Sequence, residues 1–314
     1  MKVYYSLEDF VKLPSAVVTT GTFDGVHLGH RKILDRLNAV AQQHGGESVL
    51  LTFFPHPRMV LQPDMEIKLL NSQNEKIELL KHTGLDHLII HPFTQEFSRT
   101  TSLDFVRNIL VNTIGAKKLV IGYDHHFGRN REGSFEHLKE FGPVYGFDVE
   151  EIPAEDIEDV TISSTKIRNA LSKGDLNAAN EYLGYSFPLT GRVSEGEKIG
   201  SKMGFPTANI LVEEAYKLIP GNGVYAVEVV FPSHEKDVYK GMCNIGIRPT
   251  FGGRFKTIET HIFDFDSNIY GEQITLRFKE HLRGEVKFAN QNKLKEQLAK
   301  DATEAREILD SFTQ

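Results

Sequence analysis

Apolar and polar residues follow one pattern in the first part of the chain and another in the rest. Up to about residue 184, short apolar runs alternate with segments whose apolar residues recur at helical spacing. Because this alternation is typical of crossover units, an α/β fold is predicted, with helices on both faces of a parallel sheet. Strands are predicted near 16–22, 48–54, 86–91, 117–122 and 148–152, and helices near 28–43, 74–82, 102–113, 135–141, 165–172 and 176–183.

From about residue 186 the chain carries short alternating or β-branched runs separated by turn residues, which predicts an antiparallel barrel or sandwich. We place the boundary near Gly184-Tyr185, which gives domains 1–184 and 185–314. The strands of the second domain are predicted near 187–193, 223–231, 238–245, 257–264 and 273–280, and a final amphipathic helix near 290–312.

The net charge and the cysteine content exclude several classes of partner and of cross-link. The 314 residues carry a formal net charge of −7, so neither nucleic acid nor an anionic membrane is expected as a partner. The first ten residues lack the apolar segment of a signal peptide, and no stretch approaches the length of a membrane span. Cys243 is the single cysteine, which excludes a disulfide within one chain. A cytoplasmic, soluble protein is therefore expected.

The most informative motif is GTFDGVHLGH at residues 21–30, where a predicted strand ends and a helix begins. Its glycines let a phosphate chain approach the backbone, and the unpaired N–H groups of the helix start attract anions. His27 and His30 fall on one side of the first turn. We interpret the motif as a nucleotide phosphate site. The alternative is that a histidine near a helix start donates to a loop carbonyl or faces solvent.

A second phosphate motif is ISSTKIR at residues 162–168. Ser163 and Ser164 could simply cap the following helix. Capping does not explain Lys166 and Arg168, because the helix dipole disfavours cations at a helix start. Hydroxyls, N–H groups and cations together suit a triphosphate. With the two histidines they would flank one nucleotide for nucleotidyl transfer, in which a phosphate attacks the α-phosphorus and Mg²⁺ neutralises the leaving pyrophosphate.

These strings, together with TFFPHP at 52–57, resemble the FMN adenylyltransferase module of prokaryotic bifunctional riboflavin kinase/FAD synthetases. That module is a HIGH-type nucleotidyltransferase with a Rossmann-like fold. The resemblance implies that His27 and His30 contact ATP phosphates and stabilise the transition state. It also implies a flavin and nucleotide cleft at Phe54, His56, Pro57 and Asp124. The implied ATP and phosphate site comprises Gly21, Phe23, Asp24, Gly25, His27, Gly29, His30, Ser163, Ser164, Thr165 and Arg168.

The chain departs from the family's pattern at four positions. Thr22 stands where Asn is common and retains a hydroxyl. Lys166 replaces a frequent Arg, so a point charge replaces a bidentate fork. His125 and His126 stand where an aromatic and a basic residue are often found, and we interpret them as a solvated loop pair.

The second half carries a glycine-rich loop that runs into FPTAN at 205–209. Such a loop suits a flap that closes over a ligand, and the chain has no Walker A motif. Thr207 and Asn209 offer hard oxygens of the kind that Mg²⁺ accepts, although Pro-Thr-x-Asn alone is more often a turn. Strand alternation puts Glu259 and His261 on one face. Glu259 could act as a general base, or it could be a solvated surface carboxylate.

The set GxVxxGxxxGxxxGFPTAN, GVYAV, NIGIRPTF and ETHIFDF resembles the riboflavin kinase module, a small antiparallel Greek-key barrel. The resemblance implies that Glu259 activates the riboflavin 5′-hydroxyl. It implies that Mg²⁺ and the ATP phosphates are bound by Thr207 and Asn209 beneath a loop that contains Gly196, Gly200 and Gly204.

The sequence therefore predicts a bifunctional flavin cofactor enzyme that needs Mg²⁺ and ATP at both sites. Riboflavin would be phosphorylated to FMN in the second domain, and FMN would be adenylylated to FAD in the first. One alternative is a nucleotidyltransferase for another substrate, with the barrel as a binding domain. Another is a flavin sensor without turnover. The oligomeric state does not follow from the sequence.

Overall fold

The computed structural model describes residues 1–123, 125–153, 162–196, 200, 203–232, 237–250 and 253–312. The internal contacts divide the chain into two compact units. The first comprises Met1–Lys68 and Lys76–Ser163, and the second comprises Leu69–Glu75 and Ser164–Gln314. None of the described helices is both long enough and apolar enough to cross a membrane.

The first unit contains a six-stranded sheet in which every neighbouring pair is parallel. Its spatial order is β1-β4-β3-β2-β5-β6. The α/β class predicted from the alternating pattern is thus confirmed. The strands are β1 (Lys2–Tyr4), β2 (Ala16–Thr20), β3 (Glu47–Phe54), β4 (His87–Pro92), β5 (Ala116–Gly122) and β6 (Asp148–Ile152).

Apolar cores lie on both faces of this sheet. Successive strand residues point to opposite faces, so Val18 of β2 joins one core while Val17 joins the other. In β3, Leu51 and Leu50 divide in the same way. Burial on both faces explains why these strands are continuous apolar runs rather than alternating ones.

Most of the helices between residues 28 and 145 contribute residues to those cores. Helix α1 buries Leu34, Leu37 and Val40 and ends just before Gly45, which has a φ of +60°. The helices are α1 (Leu28–Gln43), α2 (Pro57–Leu61), α3 (Gln73–Lys81), α4 (Ser102–Asp104, continued by a π-helix at Phe105–Ile114) and α5 (Phe135–Tyr145). The short elements β1 and α2 were not predicted, because three and five residues are too few to show a periodicity.

The order of the strands locates a topological switch point. Strand β2 has β3 on one side and β5 on the other, because the connection after β4 crosses back over the sheet. Ligands of open parallel sheets collect at the carboxyl ends of strands at such a point. The segments there are Gly21–His27, which follows β2, and the loop after Gly122 of β5.

The second unit contains a closed barrel of six antiparallel strands in the order β10-β11-β8-β7-β12-β9. A barrel is confirmed, and the sandwich alternative is wrong. The strands are β7 (Phe187–Ser194), β8 (Ala208–Leu211), β9 (Gly223–Val230), β10 (Val238–Thr250), β11 (Gly253–Ile262) and β12 (Gln273–Arg283). Strand β8 was not predicted, because its four residues follow directly on the glycine-rich loop.

The barrel interior and the C-terminal helix stabilise this unit. Tyr225 and Phe278 are fully buried, and their ring centroids lie 5.3 Å apart in an edge-to-face contact. The C-terminal helix (Gln291–Ser311) buries Ala305 and Leu309 against the barrel. Its Asp301, which is 0% exposed, accepts hydrogen bonds of 2.7 to 3.0 Å from Arg283 of β12.

Two parts of the first half of the sequence belong to the second unit. Helices α6 (Ser164–Lys173) and α7 (Leu176–Leu183) group with the barrel. So does Leu69–Glu75, where the Glu75 carboxylate lies 2.6 Å from Lys217 Nζ and both side chains are buried. The chain passes from the second unit to the first between Glu75 and Lys76.

Candidate functional site

The loop that connects β2 to α1 has an unusual backbone. Phe23, Gly25 and Val26 all have positive φ, at +47°, +91° and +37°. This region is unfavourable for a β-branched residue such as Val26 and persists only where surrounding packing enforces it. Phe23 and Val26 are both buried in the core under this end of the sheet. The packing therefore holds a strained loop at the switch point, where a ligand is expected.

The two histidines of the motif stack on each other. Their ring centroids lie 3.6 Å apart with 19° between the planes, and the Phe23 ring lies 4.6 Å from that of His30. His27 is the N-cap residue of α1. His30 Nδ1 is buried and has no hydrogen-bond partner among the described residues. Both rings thus lie at the positive end of the helix dipole, as an anion site requires.

The electrostatic environment keeps His30 neutral in the free protein. Burial lowers the pKa of His30 well below its ordinary value, and the neighbouring His27 and Lys76 lower it further. A neutral imidazole still donates one hydrogen bond. A bound phosphate would add a negative charge beside the ring and would favour the protonated form.

Lys76 is a site residue that the motifs did not indicate. It is 5% exposed, and its Nζ donates to the Thr22 carbonyl at 2.9 Å. Burial lowers the pKa of Lys76 to about 8, against the opposing effect of Asp24, which is itself buried. A lysine within a predicted helix ordinarily indicates a solvated charge, so the sequence held no signal for it. The Thr22 carbonyl also accepts a hydrogen bond from Thr52 Oγ1 at 3.1 Å.

The cleft residues implied by TFFPHP have local roles that are visible in the structure. Phe54 is the last residue of β3, and His56 is the N-cap residue of α2. His56 Nδ1 accepts a hydrogen bond from Arg58 N at 3.1 Å, and Pro57 occupies the first helical position. Asp124 lies outside the described residues.

An aromatic cluster lies at the same edge of the sheet. Phe53 of β3 has its ring centroid 5.8 Å from that of Phe93 and 5.5 Å from that of Phe97, and Phe105 packs 5.7 Å from Phe127. Flat apolar side chains at a switch point suit an aromatic ligand. Phe53 and Phe127 lie in segments that were predicted at this edge, whereas Phe93, Phe97 and Phe105 join them only through the fold.

The interpretation of His125 and His126 as a solvated pair holds for one of them. His126 is exposed, but His125 is half-buried and its ring lies 5.9 Å from that of Phe127 at 23°. Burial lowers the pKa of His125 to about 4, with smaller effects from His126 and Arg131. His125 therefore packs as a neutral ring, and the prediction that its side chain is solvated is wrong.

The ISSTKIR residues stand at the start of α6. Ile167 is buried, whereas Ser163, Thr165 and Lys166 are exposed and Ser164 and Arg168 are half-buried. Ser163 belongs to the first unit and the residues from Ser164 belong to the second. The action of these residues and of the two histidines on one nucleotide stays a prediction.

On the barrel, strand register places three polar residues side by side. Glu259 of β11 stands opposite Asn209 of β8 and, on its other side, opposite Asn244 of β10. Ile258 and Thr260 are buried while Glu259 is half-buried, as the alternation predicted. Residues in register have Cβ atoms about 5 Å apart, so a carboxylate and two amides share one face. Only the fold shows that Asn244 belongs to this row.

The glycine-rich loop is packed closely against that row. A Cβ at Gly196 would lie 1.9 Å from Asn209 Nδ2, and one at Gly200 would lie 2.3 Å from the Phe205 carbonyl oxygen. Gly204 has a φ of +87°. Gly196 and Gly200 are therefore explained by the close approach of neighbouring atoms, and Gly204 is explained by its positive φ. The closing flap stays a prediction, and residues 197–199 and 201–202 lie outside the described ones.

Thr207 borders a cavity of about 210 Å³ that is also lined by Thr260 and by residues 265–270. The Pro206 carbonyl accepts a hydrogen bond of 2.7 Å from His261 Nδ1, which must carry the proton because a carbonyl only accepts. The Phe205 ring packs edge-to-face on His261 at 5.4 Å. His261 thus holds the Phe205–Thr207 segment beside the cavity, a role that alternation alone did not assign.

The donor set of this face fits a hard cation. The Thr207 hydroxyl and the Asn209 amide offer oxygens of the kind that Mg²⁺ binds together with substrate phosphates and water. Within the described ranges, no group of three or more His, Cys, Asp or Glu side chains could hold a metal ion.

Two family models match the chain, one in each half. The model described as FAD synthetase matches residues 11–166, and the model described as riboflavin kinase matches residues 183–309.

Curated relatives match almost the whole chain. The bifunctional riboflavin kinase/FMN adenylyltransferase of Buchnera aphidicola subsp. Schizaphis graminum is 37% identical over 305 residues, which is 96% of each chain. The protein of the same name from Escherichia coli strain K12 is 35% identical over 310 residues, or 98% of each chain. A crystal structure described as a macrolide-efflux protein from Streptococcus pneumoniae has a TM-score of 0.86 and 30% identity, over 97% of this chain and 98% of that one.

Proposed function

The chain belongs to the bifunctional riboflavin kinase/FMN adenylyltransferase family, and from this premise we propose which of its residues perform each reaction. The enzyme converts riboflavin and ATP to FMN and ADP, and FMN and ATP to FAD and pyrophosphate. We assign adenylyl transfer to residues 1–184 and phosphorylation to residues 185–314. The extents of the two family matches support this division.

For adenylyl transfer, we propose that His27 and His30 contact the ATP phosphates. The observation that carries this proposal is their stacked pair at the start of α1, with the buried His30 Nδ1 lacking a partner among the described residues. The FMN phosphate would attack the α-phosphorus, and donated hydrogen bonds would stabilise the charge that develops on its oxygens. Catalysis would then depend on positioning and charge rather than on a covalent intermediate.

The remaining phosphate contacts are proposed from the motifs. Gly21, Gly25 and Gly29 would allow close approach of the triphosphate, with Phe23 and Asp24 as neighbours. Ser163, Ser164, Thr165 and Arg168 would supply hydroxyl, backbone and guanidinium donors. Phe54, His56, Pro57 and Asp124 would line the flavin cleft, a role that the neighbouring aromatic cluster supports.

For phosphorylation, we propose that Glu259 accepts the proton of the riboflavin 5′-hydroxyl as that oxygen attacks the γ-phosphorus of ATP. Thr207 and Asn209 would contact the ATP phosphates and the metal ion. The in-register row of Glu259 with Asn209 supports this assignment, because it places base and metal ligand on one face.

ATP-using kinase and adenylyltransferase families generally need a divalent metal, and we propose Mg²⁺ at both sites. Its charge would neutralise the transferred or leaving phosphates. The oxygen donors of Thr207 and Asn209 support this choice for the kinase reaction. We also propose a cytoplasmic location, where ATP is available.

Flavin chromatography tests the proposal directly. Purified protein incubated with riboflavin, ATP and Mg²⁺ should yield FMN and then FAD. With FMN in place of riboflavin it should yield FAD alone. Addition of EDTA should stop both reactions, and excess Mg²⁺ should restore them. Tight flavin binding without either product would instead support a flavin sensor, and ATP turnover on a different acceptor would support another nucleotidyltransferase.

A further inference from the structure

We propose that Lys76 is a positioning residue for adenylyl transfer: its ammonium holds the Thr22–Val26 loop through the Thr22 carbonyl and balances the buried charge of Asp24. This inference rests on the proposed role of His27 and His30, which that loop precedes. None of the motifs in the sequence includes Lys76.

The hydrogen bond alone does not account for a lysine at this position. The Thr22 carbonyl also accepts a hydrogen bond from Thr52 Oγ1, so it would keep a partner without Lys76. Burial of an ammonium is unfavourable unless its charge is compensated. Within the described part of the chain, Lys76 Nζ makes a single hydrogen bond. The charge of Lys76, rather than its hydrogen bond, is therefore what distinguishes it from a neutral residue.

That charge acts on the groups that face it. Asp24 faces Lys76 from the loop, and His30 faces it from α1 with His27 stacked behind. Asp24 favours the protonated form of Lys76, so the ammonium supplies a positive charge beside the Thr22–Val26 loop. Loss of its proton would remove one positive charge from the place that the triphosphate is proposed to occupy. The cluster would then attract ATP less strongly, and the Thr22 carbonyl would accept from a neutral donor in place of a charged one.

The consequence is a fall of FAD formation at alkaline pH. The pKa of Lys76 is lowered to about 8 by burial, so the loss falls in an accessible range. Stability shows a different dependence. A lysine whose pKa is lower in the folded state favours folding increasingly as the pH rises above 8, so alkaline inactivation through Lys76 would not be unfolding.

The test compares Lys76→Met, Lys76→Arg and the wild type for FAD formation from FMN and ATP between pH 6 and 10. Lys81→Met is the matched control, since Lys81 lies on the same helix with its side chain 52% exposed. Lys76→Met should lower kcat/KM by about tenfold or more at neutral pH and abolish the fall near pH 8, since misplaced contacts cost about that factor. Lys76→Arg should retain activity at pH 9 better than the wild type, and Lys81→Met should match the wild type.

Kinase activity of the same samples reports whether the second unit is intact. Two results would overturn the proposal: a Lys76→Met profile that coincides with the wild type, or a wild-type profile without a fall above pH 8. The second result needs no variant, so the test survives a Lys76→Met protein that does not fold. Variants of His27 and His30 are measured in parallel. If they retain FAD formation, the proposed site itself is wrong, irrespective of Lys76.

Discussion

The imidazole rings of His27 and His30 stack with their centroids 3.6 Å apart at the start of α1. Two cationic rings at this separation would repel each other, and the pKa of His30 is lowered well below its usual value by burial and by His27 and Lys76. In the free site His30 is therefore a neutral donor next to a helix N-terminus. An anion is the ligand that this arrangement favours.

Replacement of either histidine should separate the two activities. His27→Ala and His30→Ala should each lower FAD formation from FMN by about 10²- to 10³-fold, the usual loss when one transition-state donor is removed. FMN formation from riboflavin should stay within about twofold of the wild type, because it depends on the barrel. Chromatographic rates with each substrate measure both. Equal loss of both activities in a folded variant contradicts independent sites.

Glu259→Gln should lower FMN formation and leave FAD formation intact, the reverse of the histidine variants. The amide cannot accept the hydroxyl proton, so FMN formation should fall by about 10²- to 10⁴-fold. FAD formation from supplied FMN should persist. Glu272→Gln is the control, because Glu272 is an exposed carboxylate of the same unit. If Glu259→Gln phosphorylates riboflavin at the wild-type rate, Glu259 is a surface carboxylate and not the base.

His261→Ala should weaken ATP binding in the kinase reaction. It removes the 2.7 Å hydrogen bond to the Pro206 carbonyl and the ring that packs on Phe205. If poorer positioning of the loop lowers the binding free energy of ATP by about 1 kcal/mol, KM for ATP should rise about fivefold. The rate of FAD formation should not change. His82→Ala, an exposed histidine, is the control, and an unchanged KM in His261→Ala would remove the positioning role.

Asp301→Ala should destabilise the second unit. It leaves the Arg283 guanidinium without the carboxylate that binds it at 2.7 to 3.0 Å in a buried position. Loss of one partner of a buried ion pair costs about 3–5 kcal/mol in the free energy of unfolding. Urea unfolding followed by kinase activity measures the loss. Glu296→Gln breaks an exposed pair with Lys293 on the same helix and should lower the free energy of unfolding far less than Asp301→Ala does.

Much of the fold could be predicted from local pattern. Helix α1 was predicted at its observed bounds of Leu28–Gln43, because its apolar residues share one face and glycine follows its end. Strand β8 could not be predicted, since four residues carry no measurable alternation and one of its two pairing partners, β11, is far away in sequence. Leu69–Glu75 joined the barrel unit through its pairing with residues 216–218, which no local pattern indicates.

The sequence by itself determined the α/β-then-barrel order and the spacing of His27, His30 and Glu259, because helical and strand periods are local properties of the chain. Tertiary structure alone decided what surrounds them. Lys76 lies beside Thr22, fifty-four residues away along the chain, and Asn244 lies in register with Glu259. Burial, hydrogen-bond partners and pKa depend on groups distant in sequence, so they exist only once the chain has folded.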